Sequence, residues 1–147
     1  MIANLNKTLI PKKKYETQWY IIDARKKNLG RLSSQIAYLM IGKNNQSYLP
    51  FHISRIKIII INSRYVEVTG KKYKQKVYVR HSGRPGGLKV EMFNKLQNRI
   101  PNRIIEHSIR GMLPKNNLGK ALFKNIKIYS DNQHPHIAQQ PTLLNIN

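Results

Sequence analysis

The residues in this sequence best suited to chemistry are clustered cations, and the densest cluster is Lys71-Lys72-Tyr73-Lys74-Gln75-Lys76. Its ammonium groups can reach phosphate oxygens while the tyrosine ring stacks on a base or a sugar, a pairing typical of RNA recognition. A solvated basic loop without any ligand would have the same composition. The cluster therefore indicates RNA binding only in combination with the charge of the whole chain.

A glycine-rich segment, His81-Ser82-Gly83-Arg84-Pro85-Gly86-Gly87, lies between Arg80 and Lys89. Glycine lets the backbone approach a phosphate closely, so that exposed N–H groups bind its oxygens. Within the segment, the Gly-x-x-Gly form resembles the loop that clamps nucleic-acid backbone in KH domains, but the flanking helices of that loop are missing from the pattern. A plain turn is the alternative explanation of the glycines.

The dipeptide Gly119-Lys120 resembles the end of a nucleotide-binding P-loop, which requires Gly, four residues and then Gly-Lys-Ser/Thr. The preceding glycine is too distant for that pattern, and Ala121 stands where Ser or Thr is needed. The sequence therefore does not contain a P-loop. Arg110, Lys115 and Lys120 fit contacts with phosphate groups better than catalysis.

Histidines raise the question of a metal site or a catalytic site, and the chain has five: His52, His81, His107, His134 and His136. Divalent-metal sites usually add carboxylates or cysteines, and the segment around the last two offers only Asp131. With 6 acidic residues in the chain, neither a two-carboxylate site nor a Ser-His-Asp arrangement is supported. We predict no catalytic residues, no metal and no cofactor, and interpret His81, His134 and His136 as solvated or RNA-facing.

The net charge of the chain indicates a polyanionic partner. Lysine and arginine number 27 against 6 acidic residues, which gives a formal net charge of +21. A surface of one sign repels itself, and each phosphate that it neutralises releases condensed counterions. Nucleic acid is therefore the expected partner, with a charge that serves solubility or a membrane surface as the alternative.

Other features of the composition exclude several classes of protein. The absence of cysteine excludes disulfide scaffolds and cysteine-ligated zinc. The apolar runs, such as the isoleucines of residues 58–61, are far too short to cross a bilayer. The basic N-terminus lacks the apolar segment of a secretory signal and the Arg- and Ser-rich pattern of a transit peptide, so we expect the protein to act where it is made. Frequent Ile, Lys and Asn are typical of an AT-rich genome, as in plastids and some bacteria.

The elements that must position the cations follow from apolar periodicity. Residues 19–24 form an apolar and aromatic run that predicts a strand. Apolar residues at positions 32, 36, 39 and 40 recur at helical spacing and predict a helix that ends near Gly42. Residues 56–61 are β-branched and almost continuously apolar, which predicts a strand buried on both faces of a parallel sheet. Strand, helix and strand together predict a right-handed βαβ unit.

The second half of the chain alternates between strands and helices. Residues 76–80 predict a strand before the glycine-rich segment, and residues 91–98 predict a helix after it. Pro101 suits the first turn of a further helix, which Pro114 ends. A short helix over residues 118–123 leads to a last strand at residues 126–129. We therefore predict one α/β domain at residues 18–130 with a mostly parallel sheet, a basic N-terminal arm at residues 1–17 and an extended C-terminal tail at residues 131–147.

A series of short motifs also matches one known family in order, from about residue 18 to residue 141. The densest are Arg110-Gly111-Met112-Leu113-Pro114-Lys115, Leu118-Gly119-Lys120 and Ile126-Lys127-Ile128-Tyr129. Others are Trp19-Tyr20 with Asp23-Ala24, Gly30-Arg31-Leu32, Tyr48 with Pro50, Val68-Thr69-Gly70, His81-Ser82-Gly83 with Gly86-Gly87, and His134-Pro135-His136 with Ala138-Gln139 and Pro141. On these motifs the sequence resembles the universal large-subunit ribosomal protein number thirteen, in its bacterial and plastid form. It departs from that family at Ile53 and Ile56, where acidic residues are common, and at Ser130 and Asp131, where a small residue and a glycine are usual.

The resemblance implies a three-layer α/β/α fold with a mostly parallel sheet of about four strands. It also implies a structural protein of the large ribosomal subunit that binds its RNA, early in assembly, beside neighbouring ribosomal proteins and without enzymatic activity. We expect it in ribosomes of the plastid stroma, with the bacterial cytoplasm as the alternative, and we expect no membrane association and no homo-oligomer. The expected RNA contacts are Lys12, Lys13, Lys14, Arg31, Lys43, Lys71, Lys72, Lys74, Arg80, His81, Arg84, Lys89, Arg110, Lys115, Lys120, His134 and His136.

Two other functions compete with this interpretation. A free-standing DNA- or RNA-binding regulator would usually show a dimer face, and the sequence has no helix-turn-helix or heptad pattern. An enzyme on a nucleotide-binding α/β fold would need a phosphate loop or an acid/base pair, and the sequence provides neither.

Overall fold

The computed structural model describes residues 17–46 and 48–146. Within them, the strands and helices follow in the order β1 (Gln18–Asp23), α1 (Leu29–Ile41), β2 (Ile56–Ile61), α2 (Lys72–Gln75), β3 (Val77–His81), β4 (Leu88–Met92), α3 (Phe93–Arg99), α4 (Pro101–Met112), α5 (Asn117–Lys124), β5 (Ile126–Ile128) and β6 (Thr142–Leu143). Single 3₁₀ turns lie at Ser63–Tyr65 and Ile137–Gln139. Nearly all of the predicted arm, with Lys12, Lys13 and Lys14, lies outside the described residues.

The predicted βαβ unit is confirmed. β1 and β2 pair in parallel, from Gln18 opposite Ile56 to Asp23 opposite Ile61, and α1 connects them. The helix ends where expected because Gly42 adopts a left-handed conformation, with φ of 81°, and donates its N–H to the carbonyl oxygen of Leu39 at 2.9 Å. A residue with a side chain would be strained at that φ.

The main sheet of the described residues has four parallel strands in the order β5-β2-β1-β6. Helices lie on both sides of it, so the predicted three-layer α/β/α fold is confirmed. On one face Ile58 and Ile60 join the main core with α1 and α4, which pack against each other. On the other face Ile59 is fully buried, and the ring of His136 lies 5.5 Å from the ring of Trp19. The segment after β5 therefore covers this second face.

The strands of the second half differ from the prediction in two ways. The fourth strand of the sheet is Thr142–Leu143, from the segment predicted to be an extended tail, and Ile146 beyond it is buried in the core. Two residues carry no detectable alternation, and they pair because the edge of β1 offers unpaired backbone groups. The strand predicted at residues 76–80 lies outside the main sheet. It is β3, which pairs antiparallel with β4 in a separate β-ribbon.

Candidate nucleic-acid interface

The junction between α4 and α5 is tightly specified by local sequence. α4 begins at Pro101, and after Met112 the N–H of Leu113 still donates to the carbonyl oxygen of Ile109 at 3.0 Å. α5 is capped by Asn116, whose side-chain oxygen accepts the N–H of Gly119 at 2.9 Å. The turn between the two helices is therefore held at one end by a backbone hydrogen bond and at the other by a side-chain cap.

Gly119 allows this turn to close. The residue is buried in α5, and a Cβ atom built on it would overlap the carbonyl oxygen of Pro114 and lie 2.8 Å from the carbonyl carbon. The absence of a side chain lets the backbone of the turn lie directly against the helix. The resulting geometry fixes where Lys115 and Lys120, which lie on either side of the contact, emerge from the backbone.

A depression of about 520 Å³ at this junction collects predicted RNA contacts from three successive parts of the chain: α4, the turn and α5. Arg110 comes from the end of α4, Lys115 from the turn and Lys120 from α5. In the part of the chain that the structure describes, no carboxylate lines it. The unopposed cations therefore make the depression attractive to anions. We refer to it as the basic depression.

Sequence analysis missed two residues of the basic depression, His107 and Lys124. Both carry a signal that could have found them. His107 precedes Arg110 by three positions, and Lys124 follows Lys120 by four, so each lies on the same helix face as a predicted contact. The predicted contacts had been chosen from motifs rather than from helical periodicity, which is why these two were overlooked.

The glycine-rich segment forms the turn of the β-ribbon. Gly83 and Gly86 have φ of 86° and 71°, and the N–H of Gly87 donates to the carbonyl oxygen of Arg84 at 2.9 Å. Turn geometry therefore accounts for the glycines without a bound phosphate. Arg80 and Lys89 are nevertheless brought directly opposite each other on the two strands, and both are exposed.

The lysine cluster after residue 70 lies on the short helix α2. Lys71, Lys72 and Lys74 are exposed, with the Lys72 ammonium 3.4 Å from the Thr69 hydroxyl oxygen. The ring of Tyr73 packs edge-on against Phe93, with their centroids 5.8 Å apart. The packing against Phe93 gives this tyrosine a structural role that does not require a bound base. Arg31 and Lys43, at the two ends of α1, are exposed and lie outside the basic depression.

His134 and His136 are half-buried and belong to an aromatic cluster at the covered face of the sheet. The Nε2 atom of His136 is hydrogen-bonded to the Tyr129 hydroxyl at 2.8 Å, and the N–H of His136 donates to Nδ1 of His134 at 3.2 Å. Lys57 places its ammonium 4.7 Å from the centre of the Trp19 ring, next to His136. These contacts hold the C-terminal segment on the sheet.

Among residues 17–46 and 48–146, no group of three or more His, Asp or Glu side chains is arranged to hold a metal ion. In the same residues, no helix has the length and apolar character needed to cross a membrane.

Comparison with known proteins decides the family. The model of the family described as ribosomal protein L13 matches residues 17–135, which is most of the chain. The chain belongs to the ribosomal protein L13 family. The resemblance read from the motifs is thereby confirmed, and the L13 chain is a structural ribosomal protein and not an enzyme.

Several relatives match the chain over almost its full length. A protein of Gracilaria tenuistipitata var. liui named large ribosomal subunit protein uL13c is 60% identical over 141 residues, which is 95% of this chain and 98% of the relative. Proteins named large ribosomal subunit protein uL13 are similar in Microcystis aeruginosa, at 54% identity over 97% of this chain and 95% of the relative, and in Prochlorococcus marinus subsp. pastoris, at 51% over 96% and 99%. Plastid and cyanobacterial relatives are thus both close.

Proposed function

We propose that this chain, as a constituent of the large ribosomal subunit, binds large-subunit ribosomal RNA, with the basic depression as its principal phosphate-binding surface. The observation that carries the proposal is the convergence of Arg110, Lys115 and Lys120 around one concave site without a carboxylate among the described residues that line it. Cations converging on a concavity match a folded RNA backbone, where phosphates from successive nucleotides are close together.

The shape of the site favours recognition of backbone over recognition of bases. The turn is held by Asn116 and by the close approach of Gly119 to Pro114, so the lysines on it are presented with little loss of backbone entropy. The aromatic rings that line the depression are Phe123, which is half-buried, and His107, which packs edge-on against Tyr78. A stack of exposed aromatic rings, as used to read single-stranded bases, is not part of this site.

Further RNA contacts are proposed on the other exposed cations. They comprise Lys12, Lys13 and Lys14 of the arm, Arg31, Lys43, Lys71, Lys72, Lys74, Arg80, Arg84 and Lys89, with His81, His134 and His136 beside them. Such contacts would extend the footprint from the depression along the RNA backbone. Because a chain of charge +21 gains most from binding when RNA is still uncovered, we propose that it joins early in assembly, as a single copy.

The salt dependence of RNA binding tests the basic depression. Lys115→Gln/Lys120→Gln removes two charges from it, while the control Lys95→Gln/Lys127→Gln removes two charges from exposed positions elsewhere. Binding to large-subunit ribosomal RNA is measured over a series of salt concentrations. If both lysines contact phosphates, the slope of log K against log salt falls by about 2 for the first pair and changes little for the control.

An equal fall in the salt slope for both pairs would mean that RNA binding depends on net charge and not on this site, which would refute the proposal.

The stage of assembly at which the chain binds is tested separately, by adding it at successive stages of reconstitution of the subunit. We propose the plastid as its location, supported by the plastid relative, and immunogold labelling of plastid ribosomes in the source cells would decide between plastid and bacterial origin.

A further inference from the structure

The two faces of the β-ribbon differ sharply in chemistry. In the register of β3 and β4, Val77 lies opposite Met92, Val79 opposite Val90 and His81 opposite Leu88, all on one face. The five apolar side chains of this face are between 47% and 61% exposed. We name it the apolar ribbon face and define it by Val77, Val79, Leu88, Val90 and Met92.

The other face of the ribbon is fastened to the domain. Tyr78 packs against Phe93 and His107, with ring centroids 6.4 and 5.2 Å away, and this burial raises the pKa of the phenol above its ordinary value. Glu91 forms an ion pair with Arg99 of α3 at 2.7 Å. The ribbon is thereby held in one orientation, with the apolar ribbon face turned away from the core.

An exposed apolar surface of this kind needs an explanation. Scattered exposed apolar residues are normal, but adjacent cross-strand pairs form a contiguous strip, and such strips mark interaction sites. In the described residues the core cluster and the side chains packed against it include none of the five residues. The strip is therefore left uncovered by residues 17–46 and 48–146.

We propose that the apolar ribbon face is the docking site for another ribosomal protein, one that presents an apolar strip bordered by carboxylates. RNA is a poor occupant of the strip, because its five residues include no cation and no aromatic ring and would desolvate phosphates without compensation. His81 continues this face toward the turn, and it is the position at which RNA could reach the ribbon beside the strip. A second copy is also a poor occupant, since two chains of charge +21 repel each other.

Charge complementarity specifies the border of the partner. Exposed cations lie near both ends of the strip: Lys74 in α2, which precedes β3, and Arg84 in the turn between β3 and β4. Carboxylates on the partner would meet these cations around an apolar centre, the arrangement common to protein interfaces. The assignment does not depend on RNA binding at the basic depression, because the two surfaces share no residue.

Site-specific cross-linking in purified large ribosomal subunits tests the proposal. The photo-reactive residue p-benzoylphenylalanine is placed at Val90, on the apolar ribbon face, and in a second variant at Lys89, on the opposite face. We expect the Val90 probe to give an adduct that resists ribonuclease and contains a peptide of another ribosomal protein. An adduct with RNA, an adduct with a second copy of this chain, or no adduct from Val90 would each overturn the proposal.

A charge substitution gives a second readout. Val79→Lys/Val90→Lys places cations on the face, while Val79→Thr/Val90→Thr keeps the β-branched shape as control. We expect the lysine variant to be washed from reconstituted subunits at severalfold lower salt than the control, with undiminished affinity of the isolated chain for RNA. Lys115→Gln/Lys120→Gln is expected to weaken that RNA affinity instead, so failure of either proposal is recognised separately. Equal retention of the lysine and threonine variants would also refute the docking site.

Discussion

Replacing Gly119 with alanine is expected to destabilise the protein, although alanine favours helices more than glycine does. The new methyl group would overlap the carbonyl oxygen of Pro114. This oxygen belongs to the backbone of a turn, so it cannot move away by rotating a side chain. The turn must open, and the hydrogen bond from Gly119 to the capping oxygen of Asn116, now 2.9 Å, is stretched or lost.

The magnitude follows from three contributions of known size. Alanine gains about 1 kcal/mol over glycine inside a helix. Overpacking against rigid neighbours costs about 3 kcal/mol at the upper end of its usual range. Loss of an N-cap hydrogen bond costs about 1 kcal/mol. The free energy of unfolding is therefore expected to fall by about 3 kcal/mol, which corresponds to a fall in Tm of about 6 to 12 °C for a chain of this size.

Gly111→Ala provides the matched control. Gly111 also lies in a helix, but it is exposed and a Cβ atom there would meet nothing within 4 Å. We expect the free energy of unfolding of this variant to exceed that of the parent by about 0.5 to 1 kcal/mol. Urea denaturation followed by circular dichroism measures both variants against the parent. If the two variants unfolded at the same urea concentration, the close approach of α5 to the turn at Pro114 would be refuted.

Substitutions at three further positions test separate parts of the structure. Phe93→Ala should cost about 3 to 5 kcal/mol in urea denaturation, because the ring is fully buried in the core; a loss below about 1 kcal/mol would contradict that packing. Asn116→Ala should cost about 1 kcal/mol through loss of the α5 cap, whereas Asn116→Asp should retain most of the stability. Glu91→Gln should remove a pH-dependent part of the stability. The hydrogen bond from Arg99 holds the pKa of the Glu91 carboxyl below its usual value, so the ion pair stabilises the fold above the ordinary carboxyl pKa and is lost as pH falls through the lowered one. Thermal melts of parent and variant should therefore converge in acid, and a gap that persists there would refute the assignment.

Much of the fold could be predicted because its signals are local. The continuous isoleucines of β2, the helical spacing in α1 and the positions of Gly42, Pro101 and Pro114 each depend on near neighbours in the chain. The helix boundaries in the structure differ from the predicted ones by only a few residues. The helix predicted from residue 91 begins at Phe93, because the residues before it belong to β4 of the ribbon. That pairing involves a second strand, so no single window of sequence shows it.

The candidate site was likewise predictable from the sequence only in part. The sequence by itself determined the family, the positive charge and the residue types that could meet phosphate, because these depend on composition and on motifs in order. Only the tertiary structure decided that Arg110, Lys115 and Lys120 share one depression with His107 and Lys124. It also decided that the last described residues complete the sheet and that one ribbon face is left apolar and exposed. The physical reason is that each is set by packing and not by local propensity. Edge pairing and burial join segments distant in sequence, while the charges converge because Gly119 lets α5 lie directly against Pro114.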